Sequence, residues 1–297
     1  MLYSTLALAS LAAYASAHGI VSEVWIGGKW YNGANYGSTN DDSPVRGFPS
    51  DGSYVPYYNV NTDDIVCGTN GHGSVPVTAT INAGDQVSLR WKGDRGPTGD
   101  YWGHYEGSVM DYLMRCDGDC TDFQTSYGNA RVYKIWEAGL DTSQARPDQG
   151  FWPSRPSGNG LWAMDDMSRN YASWHTVTIP ATTAPGQYML RHELLALQSA
   201  SDLDGTAETP IGGPQYYPAC IQLNVVNDSG NVVYPPETPV RSIYSTQDAI
   251  VNIYTPGPDG ITSFDIPGPA VVDTASKKRA ARRNDRHTRR QSFGKTH

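Results

Sequence analysis

Residues 77–91, VTATINAGDQVSLRW, place short runs rich in β-branched residues on either side of Asn82-Ala83-Gly84-Asp85. β-Branched side chains fit an extended backbone and Gly, Asn and Asp fit a turn, so the stretch reads as two strands joined by a hairpin turn. The pattern continues outward through VMDYLM (109–114), WHTVTIP (174–180), GQYMLRHELLAL (186–197) and IQLNVVNDSGNVVY (221–234), where Asn227 to Asn231 reads as another hairpin turn. No run keeps helical periodicity beyond a few turns. The expectation is an all-β sandwich or barrel. Residues 31–64 are too long and too rich in Gly and Pro for a plain connection, and read as a functional surface loop. Residues 235–272 read as a second excursion packed across the strands.

The two ends of the chain differ from its body. Residues 1–17, MLYSTLALASLAAYASA, carry no charge, have an apolar middle and close on Ala15-Ser16-Ala17, the small-x-small pattern of a signal peptidase site. Cleavage there predicts a secreted protein that begins at His18. No apolar stretch is long enough to span a bilayer. Nine of the 22 Lys and Arg, but only one of the 30 Asp and Glu, fall in residues 277–297, leaving 13 bases against 29 acids elsewhere. A body this acidic argues against nucleic acid as partner. Residues 273–297 read as a basic disordered tail, and residues 18–272 as one domain.

Four cysteines in a secreted chain suggest two disulfides. Three pairings are available. Cys116 and Cys120 are close enough to staple a turn, which leaves Cys67 with Cys220 as the long-range tie. Asn227-Asp228-Ser229 is a glycosylation sequon.

Cleavage before His18 frees its backbone nitrogen as an amine with a pKa near ~8, so amine and imidazole can chelate one ion together. A second histidine then completes three nitrogen donors in a plane, the tetragonal set that suits Cu(II). His104, in the Gly-flanked loop before VMDYLM, is the candidate. His72 reads as surface-exposed and His175 as solvated or hydrogen-bonded, while His287 and His297 belong to the tail.

The pieces HGIVSEVWIGG, GHYEGSVMDYL, CDGDC, KIWEAGL, SWHTVTIP, GQYMLRHELLAL, GGPQYYPACIQLNV and IPGPA, in this order, resemble the fungal lytic polysaccharide monooxygenases of auxiliary activity family 9. The resemblance runs from His18 to about residue 272. It implies an immunoglobulin/fibronectin-like β-sandwich whose long loops form a flat copper-bearing face, with one copper per chain in a brace of His18 and His104. It further implies Tyr217 as axial ligand, Gln215 behind it, and a catalytic set of Gln215, Tyr217 and residue 198. Strand alternation puts 215 and 217 on one face with Ile221, Leu223 and Val225, and turns Tyr216 the other way.

The implied reaction is oxidation at C1 and/or C4 of a β-1,4-glucan such as cellulose, by O2 or H2O2 with an external electron donor, in a monomer. Tyr36 and Tyr254 are the candidate sugar-stacking aromatics; Phe48, Tyr54 and Phe264 are further ones. Gln198 stands where the family commonly has histidine; glutamine can donate a hydrogen bond but cannot act as acid or base near neutral pH. Ser108 stands where proline is common, and the segment from 201 to 214 is long for the family. A non-catalytic copper- or polysaccharide-binding protein of the same fold is the alternative. A hydrolase would need an opposed carboxylate pair, which adjacent Asp165 and Asp166 on a loop or strand, or lone Glu193, do not offer.

Overall fold

The computed structural model describes residues 19–33, 41–47, 56–93, 101–145, 159–168, 173–198, 200, 213–244 and 263–272. His18, Tyr36, Phe48, Tyr54 and Tyr254 lie outside these residues, as do 1–17, most of 201–214 and the basic tail.

In chain order the strands are β1 (Gly19–Ile26), β2 (Lys29–Asn32), β3 (Ala79–Asn82), β4 (Gln86–Gly93), β5 (Gly107–Arg115), β6 (Arg131–Ala138), β7 (Leu140–Ala145), β8 (Asn159–Trp162), β9 (Trp174–Thr178), β10 (Gly186–Ala196), β11 (Gln215–Val226) and β12 (Thr238–Pro239). Two short helices, α1 (Asp64–Cys67) and α2 (Ala163–Ser168), interrupt them. A four-stranded sheet, β2-β1-β4-β9, faces a six-stranded sheet, β12-β6-β5-β10-β11-β3, and β7 with β8 forms a separate ribbon. This is a β-sandwich.

The opening stretch departs from its hairpin reading. β3 pairs in parallel with β11, while β4 pairs with β1 and β9. The turn at Asn82–Asp85 is present, closed by Asp85 N to Asn82 O at 3.0 Å with Gly84 at φ +99°, but it carries the chain from one sheet to the other. The 227–231 segment is likewise a turn and no hairpin. Asn227 Oδ1 accepts from Ser229, and its Nδ2 donates to the carbonyls of Ala181 and Thr183 at 3.1 and 2.7 Å. The chain then returns through a parallel bridge from Val233 to Thr183. Turn residues dictate a local reversal, whereas the partner of each strand is chosen by which apolar face it can cover.

Alternation explains the half-exposed sheet. On β4, Val87, Leu89 and Trp91 face inward and the residues between them do not. On β5 every residue from Gly107 to Met114 is buried, because both faces of the six-stranded sheet are covered. Val109 and Leu113 pack between the sheets, and Met110, Tyr112 and Met114 pack beneath α1 and the C-terminal segment. Residues 263–272, the later of the two described parts of the second excursion, run along β6: Lys134 Nζ donates to Pro267 O at 2.8 Å and Val272 N to Lys134 O at 2.9 Å.

Both disulfides close as Cys67–Cys220 and Cys116–Cys120. The first joins α1 to β11 across 153 residues of chain. Because a cross-link over so long a loop removes much denatured-state freedom, replacing both cysteines with alanine should cost about 3–5 kcal/mol in urea unfolding. An unchanged midpoint would show that the tie is incidental. Arg46 locks the neighbouring loop, donating to Gln222 Oε1, Cys120 O and Phe123 O; burial pushes its guanidinium down to about 10.

Candidate metal centre

Two groups of side chains invite a metal, and their hydrogen bonds separate them. The first is buried between the sheets. Asp111 of β5, His175 of β9 and His192 of β10 bring one carboxylate oxygen and two ring nitrogens within 4.8 Å of one another. Asp111 Oδ2 lies 2.6 Å from His175 Nε2, and Oδ1 lies 2.8 Å from His192 Nδ1. His192 Nε2, in turn, accepts the indole N–H of Trp91 at 3.0 Å.

An indole nitrogen can only donate, so His192 Nε2 carries no proton and Nδ1 holds the ring's single one, directed at Asp111. A cation bound at Nδ1 would have to displace that proton and leave an imidazolate. The triad is therefore complete as a hydrogen-bonded core network. Burial disfavours charge on Asp111, but His175 and His192 outweigh it and hold the carboxyl well below the usual range. Burial pushes the His192 pKa down, with Asp111 opposing.

His175 is thus hydrogen-bonded, as one half of its sequence reading had it, but buried rather than solvated. It points inward with Val177, while Trp174 and Thr176 take the outer face. Trp174 packs edge-on against the exposed Trp30 at 5.3 Å, and Trp30 against Trp25 at 5.0 Å, so aromatics occupy the face that alternation would have left to polar groups. His72 is exposed.

The second group sits at the sandwich end where β1 begins. His104 lies in the loop entering β5, its imidazole edge-on to Trp102 at 5.3 Å, and Trp102 is pinned by its backbone N–H to Ser173 Oγ at 2.7 Å. Gly107 ends that loop at φ +152°, where an added Cβ would stand 2.1 Å from Leu195 O, so the loop cannot relax outward through a larger residue. His104 Nε2 is 3.1 Å from Tyr217 Oη, and Tyr217 packs against Trp102 at 4.8 Å.

Behind the phenol, Tyr217 Oη donates to Gln215 Oε1 at 2.9 Å. Gln198 Nε2 donates to the same oxygen at 2.7 Å. Gln215 Nε2 donates to Tyr58 Oη at 3.1 Å, a partner the sequence did not reveal. Tyr217 faces the inter-sheet core with Ile221, Leu223 and Val225, while Tyr216 packs on the other side against Tyr244.

Whether this group suits copper can be asked of Gly19, the first described residue. An added Cβ there would lie 2.4 Å from Lys92 O and 3.0 Å from Trp102 Cε3. Only glycine lets the start of β1 lie this close to the indole that flanks His104. Among the described residues, the His104 imidazole nitrogen beside the Tyr217 phenol oxygen matches part of a nitrogen donor set with a weak oxygen neighbour. The residues fit the ion.

The hydrolase alternative loses its groups. α2 carries Asp165 and Asp166, which the sequence had placed on a loop or strand; Asp165 is buried and Asp166 exposed, so they diverge. Glu193 is fully buried, bonded to Arg191 at 2.9 and 3.0 Å and also accepting from Tyr244. Phe264 packs edge-on against Trp162 at 5.6 Å.

Comparison with known proteins identifies the family. The family model for "Auxiliary Activity family 9 (formerly GH61)" matches residues 18–263. The chain is 36% identical over 272 residues to AA9 family lytic polysaccharide monooxygenase F of Malbranchea cinnamomea, covering 90% of this chain and 96% of the relative. It is 33% identical over 271 residues to lytic polysaccharide monooxygenase B of Heterobasidion irregulare, covering 89% and 96%. Among solved structures, HiLPMO9B superposes with a TM-score of 0.66 at 31% identity, over 86% of this chain and 99% of that one. Cel61B of Hypocrea jecorina, a glycoside hydrolase family 61 member, superposes with 0.65 at 30%, over 86% and 100%. With the match spanning the strands, the disulfide-linked elements and the loop of His104, the chain belongs to auxiliary activity family 9 and is a copper-dependent lytic polysaccharide monooxygenase.

Proposed function

We propose that the mature protein begins at His18, is exported, and oxidises C1 and/or C4 of a β-1,4-glucan such as cellulose, using O2 or H2O2 and an external electron donor. The observation that carries this reading is the 3.1 Å contact between His104 Nε2 and Tyr217 Oη beside the close-packed start of β1 at Gly19. The His18 amine and imidazole with His104 would hold one copper ion, with the Tyr217 phenol beside His104. Copper bound there supplies the one-electron chemistry that activates the oxidant toward a sugar C–H bond.

The chain's own residues bind and orient. His104 is held by Trp102 on one side and Tyr217 on the other, which fixes the direction of its nitrogen. Tyr217 directs its proton to Gln215, leaving a lone pair on the side of His104. Gln198 gives one amide proton to Gln215, so its present bonding orders that side chain and moves no proton. Tyr36 and Tyr254 are the proposed sugar-stacking aromatics. A glycan on Asn227 would leave Nδ2 one proton for two carbonyls; the mass of the peptide carrying Asn227, before and after enzymatic deglycosylation, tests that site.

The test is the secreted protein itself. Its N-terminal sequence should begin at His18. Copper-loaded on swollen cellulose with ascorbate, it should release oxidised oligosaccharides, and the position of oxidation gives the regioselectivity. Tight copper binding without oxidised product from cellulose or other β-1,4-glucans, under O2 and under H2O2, would reject the proposed substrate and favour a binding role. Among the described residues no helix is long and apolar enough to cross a membrane.

A further inference from the structure

The amide of Gln215 is held at both ends. Its oxygen accepts from Tyr217 Oη at 2.9 Å and from Gln198 Nε2 at 2.7 Å, and its nitrogen donates to Tyr58 Oη at 3.1 Å. Tyr217 and Gln198 flank the metal centre, but Tyr58 comes from the long 31–64 loop. That loop is fastened beside Gln215 by a two-bond bridge, Tyr57 N to Tyr216 O at 2.9 Å and Tyr216 N to Tyr57 O at 3.0 Å. The phenol of Tyr58 therefore arrives at the amide from a backbone that is itself locked to β11. It is half-buried, and burial raises its pKa, so near neutral pH the hydroxyl is intact.

A glutamine has three rotatable side-chain bonds, and two acceptor contacts at one end do not fix where the other end swings. The Tyr58 hydroxyl supplies the missing constraint. We infer that Tyr58 is a positioning residue of the copper centre: by anchoring Gln215 Nε2 it holds Gln215 Oε1 against the Tyr217 hydroxyl and thereby sets the phenol beside His104. The inference rests on the brace at His104 given above. It makes the long loop part of the metal environment through one hydrogen bond, two side chains removed from the ion.

Tyr58→Phe deletes the hydroxyl and keeps the ring. Gln215 Nε2 then loses its acceptor and the amide is free to rotate away from Tyr217. Copper affinity should stay within about twofold of wild type, because no ligand changes. The Cu(II) electron paramagnetic resonance signal should shift, since the Tyr217 oxygen beside His104 is no longer fixed. Turnover on a soluble glucan should fall about three- to tenfold with KM unchanged, below or at the low end of what loss of an outer partner costs a metal site.

Tyr57→Phe is the control. Tyr57 Oη bonds Thr69, just beyond α1, so that variant disturbs the fastening of the loop and should leave the copper signal alone. Adding Tyr58→Phe to Gln215→Leu should produce no further spectral change, because the residue through which Tyr58 acts is gone. A lower melting temperature with an unchanged copper signal in Tyr58→Phe would overturn the inference and reduce Tyr58 to a loop anchor. Equal spectral shifts in Tyr57→Phe and Tyr58→Phe would overturn it as well. A wild-type signal indifferent to His104→Ala would instead overturn the brace on which it rests.

Discussion

His104→Ala should bind Cu(II) more than about 100-fold more weakly than the wild type, since losing a ligand costs more than losing an outer partner. It should also release no oxidised sugar above background. Isothermal titration with the His18-initiated protein reads the first and product analysis the second. The fold should survive, because His104 lies in a loop and its neighbours Trp102 and Tyr217 are buried by other contacts. Asp111→Asn is the informative partner: it alters the other cluster of potential ligands and should leave copper affinity intact. The reverse result, with copper lost in Asp111→Asn and kept in His104→Ala, would move the ion into the sandwich core.

The second large effect concerns stability. Asp111→Asn should lower the unfolding free energy at neutral pH by about 2–4 kcal/mol, because a carboxylate that accepts from two imidazoles is replaced by an amide with one acceptor oxygen. Its pH dependence has a definite sign. Asp111 has a folded pKa below its unfolded value of about 4, so its contribution is full above that pH and is lost as pH falls beneath it toward the folded pKa. His192 is also shifted down, and its neutral-ring contribution is full above about pH 6.5 and fades as pH falls through the folded value. Urea unfolding at pH near 7, 5 and 3 should show the wild type losing stability over both steps. The gap to Asp111→Asn should narrow below about pH 4. A gap that stays constant with pH would mean that Asp111 is not ionised in the fold.

The same cluster marks where sequence reading stopped. Asp111 lies within VMDYLM, and nothing in that run says whether the one carboxylate faces solvent or the opposite sheet. Only the pairing of β5 with β10, and the facing of β9 across the core, brings two imidazoles to it. His175 misled for a related reason: the phase of a five-residue strand is set by whichever side chains can be covered, and Trp174 found cover on Trp30 outside the core. The turn at 82–85 was legible because Gly84 and Asp85 act locally, and its crossing between sheets was not, because β3 takes its partner more than a hundred residues later.

Where local rules suffice, the reading carries. The period-two pattern from Gln215 to Val225 separates Tyr217 from Tyr216, and the two do pack in different apolar clusters. The spacing in CDGDC allows a tight staple, and Cys116 bonds Cys120. Tyr58 carried no signal at all, since a tyrosine in a loop gains its meaning only when Tyr57 pairs with Tyr216.

The position of β11 between β10 and β3 has a consequence for synthesis. The four-stranded sheet has all its members once residue 178 has emerged, but its inner face of Val24, Ile26, Val87, Leu89 and Trp91 lacks much of its cover until residues 186–226 follow. At roughly 5–20 residues per second, a growing chain would hold that apolar surface open for a few seconds. Chain released early, or truncated before β11, should be a client of chaperones and prone to aggregate, whatever the state of its copper ligands.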